Sequence, residues 1–198
     1  SDNYNLPGYW GSKRGGTRWQ YYRLNTFSHN VPVLNGQDQD PEATASLTHF
    51  ESDETGSFAQ IDLTDAYQAS ARSVRRGVAL IDGRRAVLVQ DEFDLPSSCE
   101  IAWGITTDAD IDIQPSGTAR LTVDNKQLQA SLLSPSEASF TIESAEQDPP
   151  QKTNDGVSRL MARLPNQQGT IRLSVLLAPI WPDGHLTEII EINSLSDW

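Results

Sequence analysis

Residues 70–91 read SARSVRRGVALIDGRRAVLVQD, and this stretch decides the fold. Two runs rich in valine, isoleucine and leucine flank the pair Asp82-Gly83. Asp-Gly is a dipeptide that tight hairpin turns prefer, because both positions need a positive φ. Aliphatic and β-branched residues on the two sides of such a turn are typical of paired strands. The sequence therefore predicts a β-hairpin with strands over residues 70–81 and 85–91.

Similar short runs, separated by turn residues, continue in both directions along the chain. Their spacing of about eight to twelve residues, with no convincing amphipathic helix between them, is typical of antiparallel β-sandwiches. We expect an all-β fold, a large antiparallel β-sandwich of roughly a dozen strands, in one domain over residues 1–198. The other predicted strands cover residues 17–27, 30–34, 44–50, 57–63, 100–107, 110–114, 118–123, 127–133, 139–143, 157–164, 169–179 and 187–192.

The composition excludes several classes of function. The net charge of −12 argues against a nucleic-acid partner, because phosphate binding needs a broad basic surface. No apolar run is long enough to span a membrane, and the first residues lack the basic and apolar regions of a signal peptide. Cys99 is the single cysteine, which excludes an internal disulfide and a thiolate zinc cluster. We expect it to be a small buried strand residue.

Positive charge and aromatic residues concentrate near the start of the chain, in residues 8–39. Up to Gln37, four cations oppose the single anion Asp2, which leaves −15 for the remainder of the chain. A cationic, aromatic surface suits an anionic, ring-shaped ligand. Aromatic residues at alternating positions are also typical of half-buried strands, so core packing or a solvated strand edge stays open as the alternative.

Six side chains of this stretch are candidate ligand contacts. Arg18 and Arg23 are the expected partners of an anionic group, because guanidinium binds carboxylate in a bidentate fork. A tyrosine can stack on a sugar ring, and in a strand Tyr21 and Tyr22 face opposite ways, so at most one reaches a cleft. Asn30 can donate a hydrogen bond to a carboxylate. The candidates are Tyr9, Arg18, Tyr21, Tyr22, Arg23 and Asn30.

A second group of cations lies on the predicted hairpin. Its arginines occupy both strands, a placement that favours cross-strand ion pairs with Asp82 or Asp91 over a ligand site. The group comprises Arg72, Arg75, Arg76, Arg84 and Arg85.

Residues 18–39, RWQYYRLNTFSHNVPVLNGQDQ, resemble the C-terminal β-sheet domain of the heparinase II/III-like polysaccharide lyases. The family pattern places aromatic and basic residues before a small residue and His-Asn, then an apolar strand, Asn-Gly and Gln. Here Ser28, His29-Asn30 and Asn35-Gly36-Gln37 occupy those positions. Later segments follow the family's order as far as about Phe140. They are FAQIDLTDAY, RSVRRGVALIDGRRAVLVQDEF, WGITT and LLSPSEASF.

The resemblance implies a two-part enzyme that cleaves uronic-acid-containing polysaccharide, heparin-like or alginate-like, by β-elimination. In this family an N-terminal α/α-toroid carries most catalytic groups, and the C-terminal β-domain closes the cleft. We therefore expect this chain to be the C-terminal part, inactive alone, with an anionic polysaccharide and its own toroid as partners. The family also implies a periplasmic or secreted protein. A non-catalytic carbohydrate-binding or structural β-sandwich stays open as the alternative.

The resemblance also implies a structural zinc bound by His, Asp and His, the last of which corresponds to His29. The other two ligands would precede Ser1, so we expect an incomplete zinc site in this chain. Zinc normally takes three or four protein ligands. From the residues alone, a hydrogen-bonded strand histidine is the favoured interpretation of His29; the resemblance gives the metal-ligand or cleft interpretation equal standing. No residue of this chain is assigned a catalytic role.

Overall fold

The computed structural model describes residues 4–115, 117–188 and 191–198. Within these residues, ten strands pair antiparallel in one hydrogen-bonded network. The strands are β1 (Val33–Leu34), β2 (Ser46–Ser52), β3 (Ser57–Asp62), β4 (Ser73–Ile81), β5 (Ala86–Thr107), β6 (Asp110–Gln114), β7 (Thr118–Val123), β8 (Lys126–Ser134), β9 (Phe140–Ser144) and β10 (Ser158–Pro179). One α-helical turn, α1, spans Thr64–Tyr67, and 3₁₀ turns span Thr17–Gln20, Tyr22–Leu24, Thr26–Ser28 and Leu195–Asp197. No helix in the described ranges is long and apolar enough to cross a bilayer.

The two longest strands, β5 and β10, organise the network. Each has 22 residues, and they pair with each other on both sides of an irregularity where the register shifts around Gln167. The first part of β5 and the last part of β10 carry β4, β3 and β2 on one side and β8, β7 and β6 on the other. The remaining parts carry β1 and β9. The network therefore has a larger half and a smaller half that share two strands.

Hydrogen bonds place the two halves face to face. Arg76 on β4 lies opposite Asp91 in the larger half, and its Nη1 donates to Asn30 O at 2.8 Å. Asn30 Oδ1 accepts from the backbone N of Thr106, in the smaller half, at 2.9 Å. Buried side chains of both halves form one core cluster, which confirms the predicted all-β antiparallel fold. The cluster includes Val74, Phe93, Ile101, Trp103, Leu160 and Leu173.

The structure corrects the prediction of a strand over residues 17–27. This stretch forms three consecutive 3₁₀ turns, closed by bonds such as Tyr21 N to Arg18 O and Leu24 N to Tyr21 O. Other backbone N–H groups of the stretch donate to side chains outside it, Tyr22 N to Gln151 Oε1 and Thr26 N to Asp38 Oδ1, while the aromatic side chains pack on one another. Alternation of aromatic residues here reflects that packing and not strand pairing.

Other strand predictions differ in length. Apart from Arg85 and Val157, residues 85–91 and 100–107 belong to the single strand β5, and residues 157–164 and 169–179 to β10, because the paired strands pass through the irregularity together. Of residues 30–34, only Val33–Leu34 is a strand. These differences leave ten described strands in place of about a dozen. In the predicted terminal strand, residues 189 and 190 lie outside the described residues.

The hairpin prediction is confirmed. Asp82 and Gly83 have φ angles of 55° and 59°, and Ile81 pairs with Ala86. Arg76 forms the expected cross-strand ion pair with Asp91, with two bonds of 2.7 Å. Asp82 instead accepts a hydrogen bond from Thr187 and contacts His185. Cys99 is buried in β5, as predicted.

Two chain segments cover the outer faces of the halves. The C-terminal segment, residues 191–198, lies on the larger half, where Gln60 Nε2 donates to Leu195 O at 2.8 Å. The N-terminal segment, residues 4–32, lies on the smaller half, where Phe27 packs against buried Met161. Both segments therefore rest on the outward sides of β5 and β10.

Candidate functional site

The N-terminal segment carries a cluster of aromatic side chains, here named the aromatic platform. Trp10 is 72% exposed, and its ring lies 5.7 Å from that of Tyr4 and 5.2 Å from that of Tyr9. Tyr9 itself is only 4% exposed and packs edge-on against Tyr4. The exposed rings thus rest on a buried one. The platform comprises Tyr4, Tyr9, Trp10, Arg18, Trp19 and Tyr21.

Arg18 and Tyr21 hold the platform together. The guanidinium of Arg18 lies 5.6 Å from the ring centroid of Tyr9 and 5.3 Å from that of Trp19, within cation–π range. Its Nη1 also donates to Tyr9 O. The hydroxyl of Tyr21 donates to Pro7 O at 2.6 Å. The outward rings of Tyr4 and Trp10 are therefore the surface that the platform offers to a ligand.

A groove of about 500 Å³ lies beside the platform, along the ring of Trp19. Arg14 on its wall forms an ion pair with Asp40. The backbone N–H of Glu42 and then the Arg14 guanidinium lower the pKa of the Asp40 carboxyl. Since Asp38 also lines this groove, its charge does not favour an anionic ligand.

A separate cavity, here named the basic pocket, lies between the turn at Tyr22–Leu24 and the loop of residues 145–157. Its volume is about 340 Å³. The backbone N of Tyr22 donates to Gln151 Oε1 at 2.7 Å, which joins the two walls. The lining residues are Tyr22, Arg23, Thr106, Ala145, Lys152, Asn154 and Val157.

Arg159 lies next to this pocket on the outer face of β10, opposite Thr106 of β5 and Glu143 of β9. It is only 4% exposed, and burial lowers the pKa of its guanidinium. Its Nη2 donates to His29 O at 3.2 Å, while its Nε has no hydrogen-bond acceptor among the described residues. The nearby Glu143 carboxylate opposes this pKa shift, although Arg163 binds both of its oxygens at 2.7 and 3.0 Å.

The hydroxyl of Tyr22 is also buried without a hydrogen-bond partner in the part of the chain that the structure describes. Burial raises the pKa of Tyr22, against the opposing effects of the Arg159 cation and the nearby Thr106 hydroxyl. The Thr106 hydroxyl itself donates to Ser28 O at 3.2 Å. Two buried donors, Tyr22 Oη and Arg159 Nε, therefore lack acceptors in the same region.

His29 lines a small cavity of about 190 Å³ together with Asp38 and Asp40. The described residues contain no group of three or more His, Cys, Asp or Glu side chains placed to hold a metal ion. The donor set around His29 is thus too small for zinc, which takes three or four protein ligands.

The predicted contact residues fall into three places. Tyr9, Arg18 and Tyr21 contact one another in the aromatic platform. Because this stretch forms 3₁₀ turns, strand alternation does not decide which of Tyr21 and Tyr22 faces a ligand. Tyr22 and Arg23 line the basic pocket. Asn30 lies apart, between the two halves of the sheet, with both oxygens accepting hydrogen bonds.

Sequence reasoning missed several residues around the basic pocket. They are distant along the chain, and no local motif marks them. Lys152 and Asn154 lie in a stretch whose polar, proline-containing composition indicates only an exposed loop. The missed residues are Thr106, Lys152, Asn154 and Arg159.

Residues 7–178 match the family model described as heparinase II/III-like, C-terminal. This range includes the whole basic pocket and all of the aromatic platform except Tyr4. The chain belongs to this family.

Solved structures share the fold of this heparinase II/III-like domain. Heparan sulfate lyase HepC from Pedobacter heparinus aligns with a TM-score of 0.67 and 15% identity, over 80% of this chain and 25% of that one. A structure of heparinase III aligns with a TM-score of 0.65 and 12% identity, over 83% of this chain and 25% of that one. The chain therefore spans about a quarter of the length of each. A comparison with curated proteins finds no match.

Proposed function

We propose that this domain is the C-terminal part of a polysaccharide lyase that cleaves uronic-acid-containing polysaccharide, heparan-like or alginate-like, by β-elimination. The family match over residues 7–178 supports the enzyme class. The aromatic platform supports a role at the edge of the substrate cleft, since exposed Trp10 can stack on a sugar ring. The observation that supports this role most strongly is the exposed ring of Trp10, which packs against Tyr9. Tyr9 is in turn in contact with the guanidinium of Arg18.

β-Elimination at a uronate needs three functions: neutralisation of the carboxylate, removal of the C5 proton, and protonation of the leaving oxygen. Arg23, on the wall of the basic pocket, is suited to the first, because guanidinium pairs with carboxylate, whereas the guanidinium of Arg18 is engaged by Tyr9 and Trp19. Burial raises the pKa of Tyr22, which disfavours that hydroxyl as the proton-abstracting group. We therefore propose that this domain binds and orients substrate, and that the toroid supplies the proton transfers.

The test of the cleft edge is binding of the chain to heparan-like and alginate polymers, measured by calorimetry. Trp10→Ala should weaken binding roughly fivefold or more, as expected for an aromatic residue that anchors an interface. Phe50→Ala is the matched control, because Phe50 is an exposed aromatic residue on the distant strand β2. Equal affinity of the Trp10 variant and the unchanged chain would remove the platform from the cleft.

The division of labour has its own measurement. The isolated chain should produce no unsaturated uronate absorbance from any of these polymers. Enzyme-like rates from the isolated chain would contradict the assignment of proton transfer to the toroid. A toroid sequence preceding this domain in the full-length gene separates the lyase from a carbohydrate-binding module. We also propose that the full-length protein is periplasmic or secreted, which cell fractionation would test.

A further inference from the structure

We propose that the basic pocket binds one small oxyanion, the sulfate or carboxylate group of a saccharide. The site is separate from the aromatic platform and includes residues that no motif singles out. Only the saccharide context rests on the proposed function, because the pocket's affinity for an oxyanion follows from its own charges. Its volume of about 340 Å³ lies within the range of ligand pockets, roughly 300–1,000 Å³.

The charge of the pocket opposes the charge of the chain. The chain carries −12, yet none of the residues that line the pocket is acidic. Arg23 and Lys152 line it, and the cation of Arg159 lies beside Tyr22 and Thr106 of its wall. Concentrated positive potential in a concave site raises the local concentration of anions.

Arg159 is a buried cation, and burying a cation is energetically costly unless it is paired with an anion. Among the described residues it forms no ion pair, although Glu143 lies directly across from it on β9. Arg163 holds that carboxylate with two bonds, so Glu143 is shared between two cations and this face keeps a net positive charge. An oxyanion in the neighbouring pocket would balance that charge.

The position of Arg159 depends on a glycine in the neighbouring strand. Gly104 lies beside it on β5, and a Cβ at that position would lie 3.0 Å from Arg159 Nη2 and 2.3 Å from Met161 Sδ. A residue with a side chain would therefore displace the guanidinium from its position. The absence of a side chain at Gly104 leaves the room in which Arg159 lies under the N-terminal segment.

Some hydrogen-bond donors at the pocket have acceptors and others do not. The Thr106 hydroxyl donates to Ser28 O, and Asn154 Nδ2 donates to Ala145 O at 3.1 Å, so both are engaged. Of the four buried side-chain donors without acceptors among the described residues, two, the Tyr22 hydroxyl and Arg159 Nε, lie at this pocket. Buried polar groups are nearly always satisfied in folded proteins, and these two lack an acceptor of the kind that an oxyanion provides.

The experiment is an NMR titration of the 198-residue chain with sodium sulfate and, separately, sodium glucuronate, at constant ionic strength maintained with chloride. The reporters are the side-chain Nε–H of Arg159 and the backbone amide of Tyr22. We expect saturable shifts of both signals. Lys152→Met should weaken the binding about fivefold or more, because a charge-assisted contact is lost. Lys126→Met, the same change in the β7–β8 hairpin, should leave the affinity unchanged.

A second variant tests the site independently, in case Lys152→Met acts only through folding. Arg159→Met, with an otherwise unchanged amide spectrum, should lose anion binding at least about tenfold, because the buried cation is removed. Saturation by sulfate alone assigns a sulfate ester, and saturation by glucuronate alone assigns a carboxylate. Both outcomes support the site. Shifts that stay linear with both salts, or that are equal in Lys152→Met and Lys126→Met, would overturn it.

The outcome is distinguishable from failure of the proposed function. If Trp10→Ala leaves polymer binding unchanged while sulfate or glucuronate still saturates the pocket, the cleft-edge proposal fails and the anion site stands. If the polymer titration responds to Trp10→Ala but the pocket does not saturate, the anion site fails alone.

Discussion

The outer faces of the two halves both include β5 and β10, but the two faces differ in how completely their polar groups are hydrogen-bonded. On the larger half, polar side chains form rows across β3, β4, β5 and β10, and they bind the backbone of the C-terminal segment. Gln60 donates to Leu195 O, Gln90 to Asn193 O, and Arg172 to Ile192 O. The segment is thus recognised through its main chain.

Glu92 is the centre of this arrangement. It lies between Arg75 and Arg172 on neighbouring strands, at 2.9 and 3.1 Å, and it accepts from Leu195 N at 2.9 Å. A buried carboxylate is tolerated because both cations and a backbone donor compensate its desolvation.

On the smaller half, the corresponding region under the N-terminal segment is left incomplete. Arg159 has no carboxylate partner within the described residues, and the hydroxyl of Tyr22 has no acceptor. Because a satisfied polar network rigidifies a fold and an unsatisfied one is costly, we propose that the difference separates a structural face from a binding face.

The largest expected effect comes from the satisfied face. Glu92→Gln should lower the free energy of unfolding by about 3 kcal/mol, because it leaves two partly buried arginines without their counter-charge. Urea unfolding of the chain measures this. Glu100→Gln is the control, since its ion pair with Arg163 is about half exposed and should contribute less than about 1 kcal/mol. Equal losses in the two variants would contradict the structural role of Glu92.

A smaller effect is expected where the C-terminal segment contacts the sheet. A Cβ on Gly77 would lie 2.3 Å from Leu195 Cδ2 and 2.7 Å from Trp198 Cζ3. Gly77→Ala should therefore cost about 2 kcal/mol through overpacking and increase proteolysis of residues 191–198. In a Leu195→Ala background the added cost should shrink, because the clash with Leu195 Cδ2 is removed and only that with Trp198 remains. An identical cost in both backgrounds would show that the segment does not pack on Gly77.

The smallest expected change in stability tests the difference between the two outer faces most directly. Arg159→Met should change the free energy of unfolding by no more than about 1 kcal/mol in either direction, because the variant loses one hydrogen bond but no longer buries an unpaired charge. Arg172→Met should destabilise by about 2 kcal/mol, since it removes a charged partner of Glu92. Chemical unfolding of both variants under identical conditions provides the measurement. If Arg159→Met were the more damaging change, the smaller half would be a structural face too.

Local chemistry explains what could be predicted from the residues. The Asp82-Gly83 turn and its flanking aliphatic runs yield a hairpin because turn conformation and strand propensity act over a few residues. Residues 17–27 show the limit of such reasoning. Their aromatic alternation is compatible with a strand, and only contacts with the sheet and with one another select the 3₁₀ turns.

The sequence by itself therefore determined the antiparallel all-β class, the hairpin turns, the family and the basic, aromatic character of the N-terminal segment. Only the tertiary structure divided that segment between a platform and a pocket. Tyr22 meets Lys152 and Arg159 because β10 pairs with β5 and because Gln151 binds the Tyr22 backbone. Such contacts join residues more than a hundred positions apart, where neither periodicity nor spacing carries information, and the charge balance of a site depends on which partners the fold leaves unpaired.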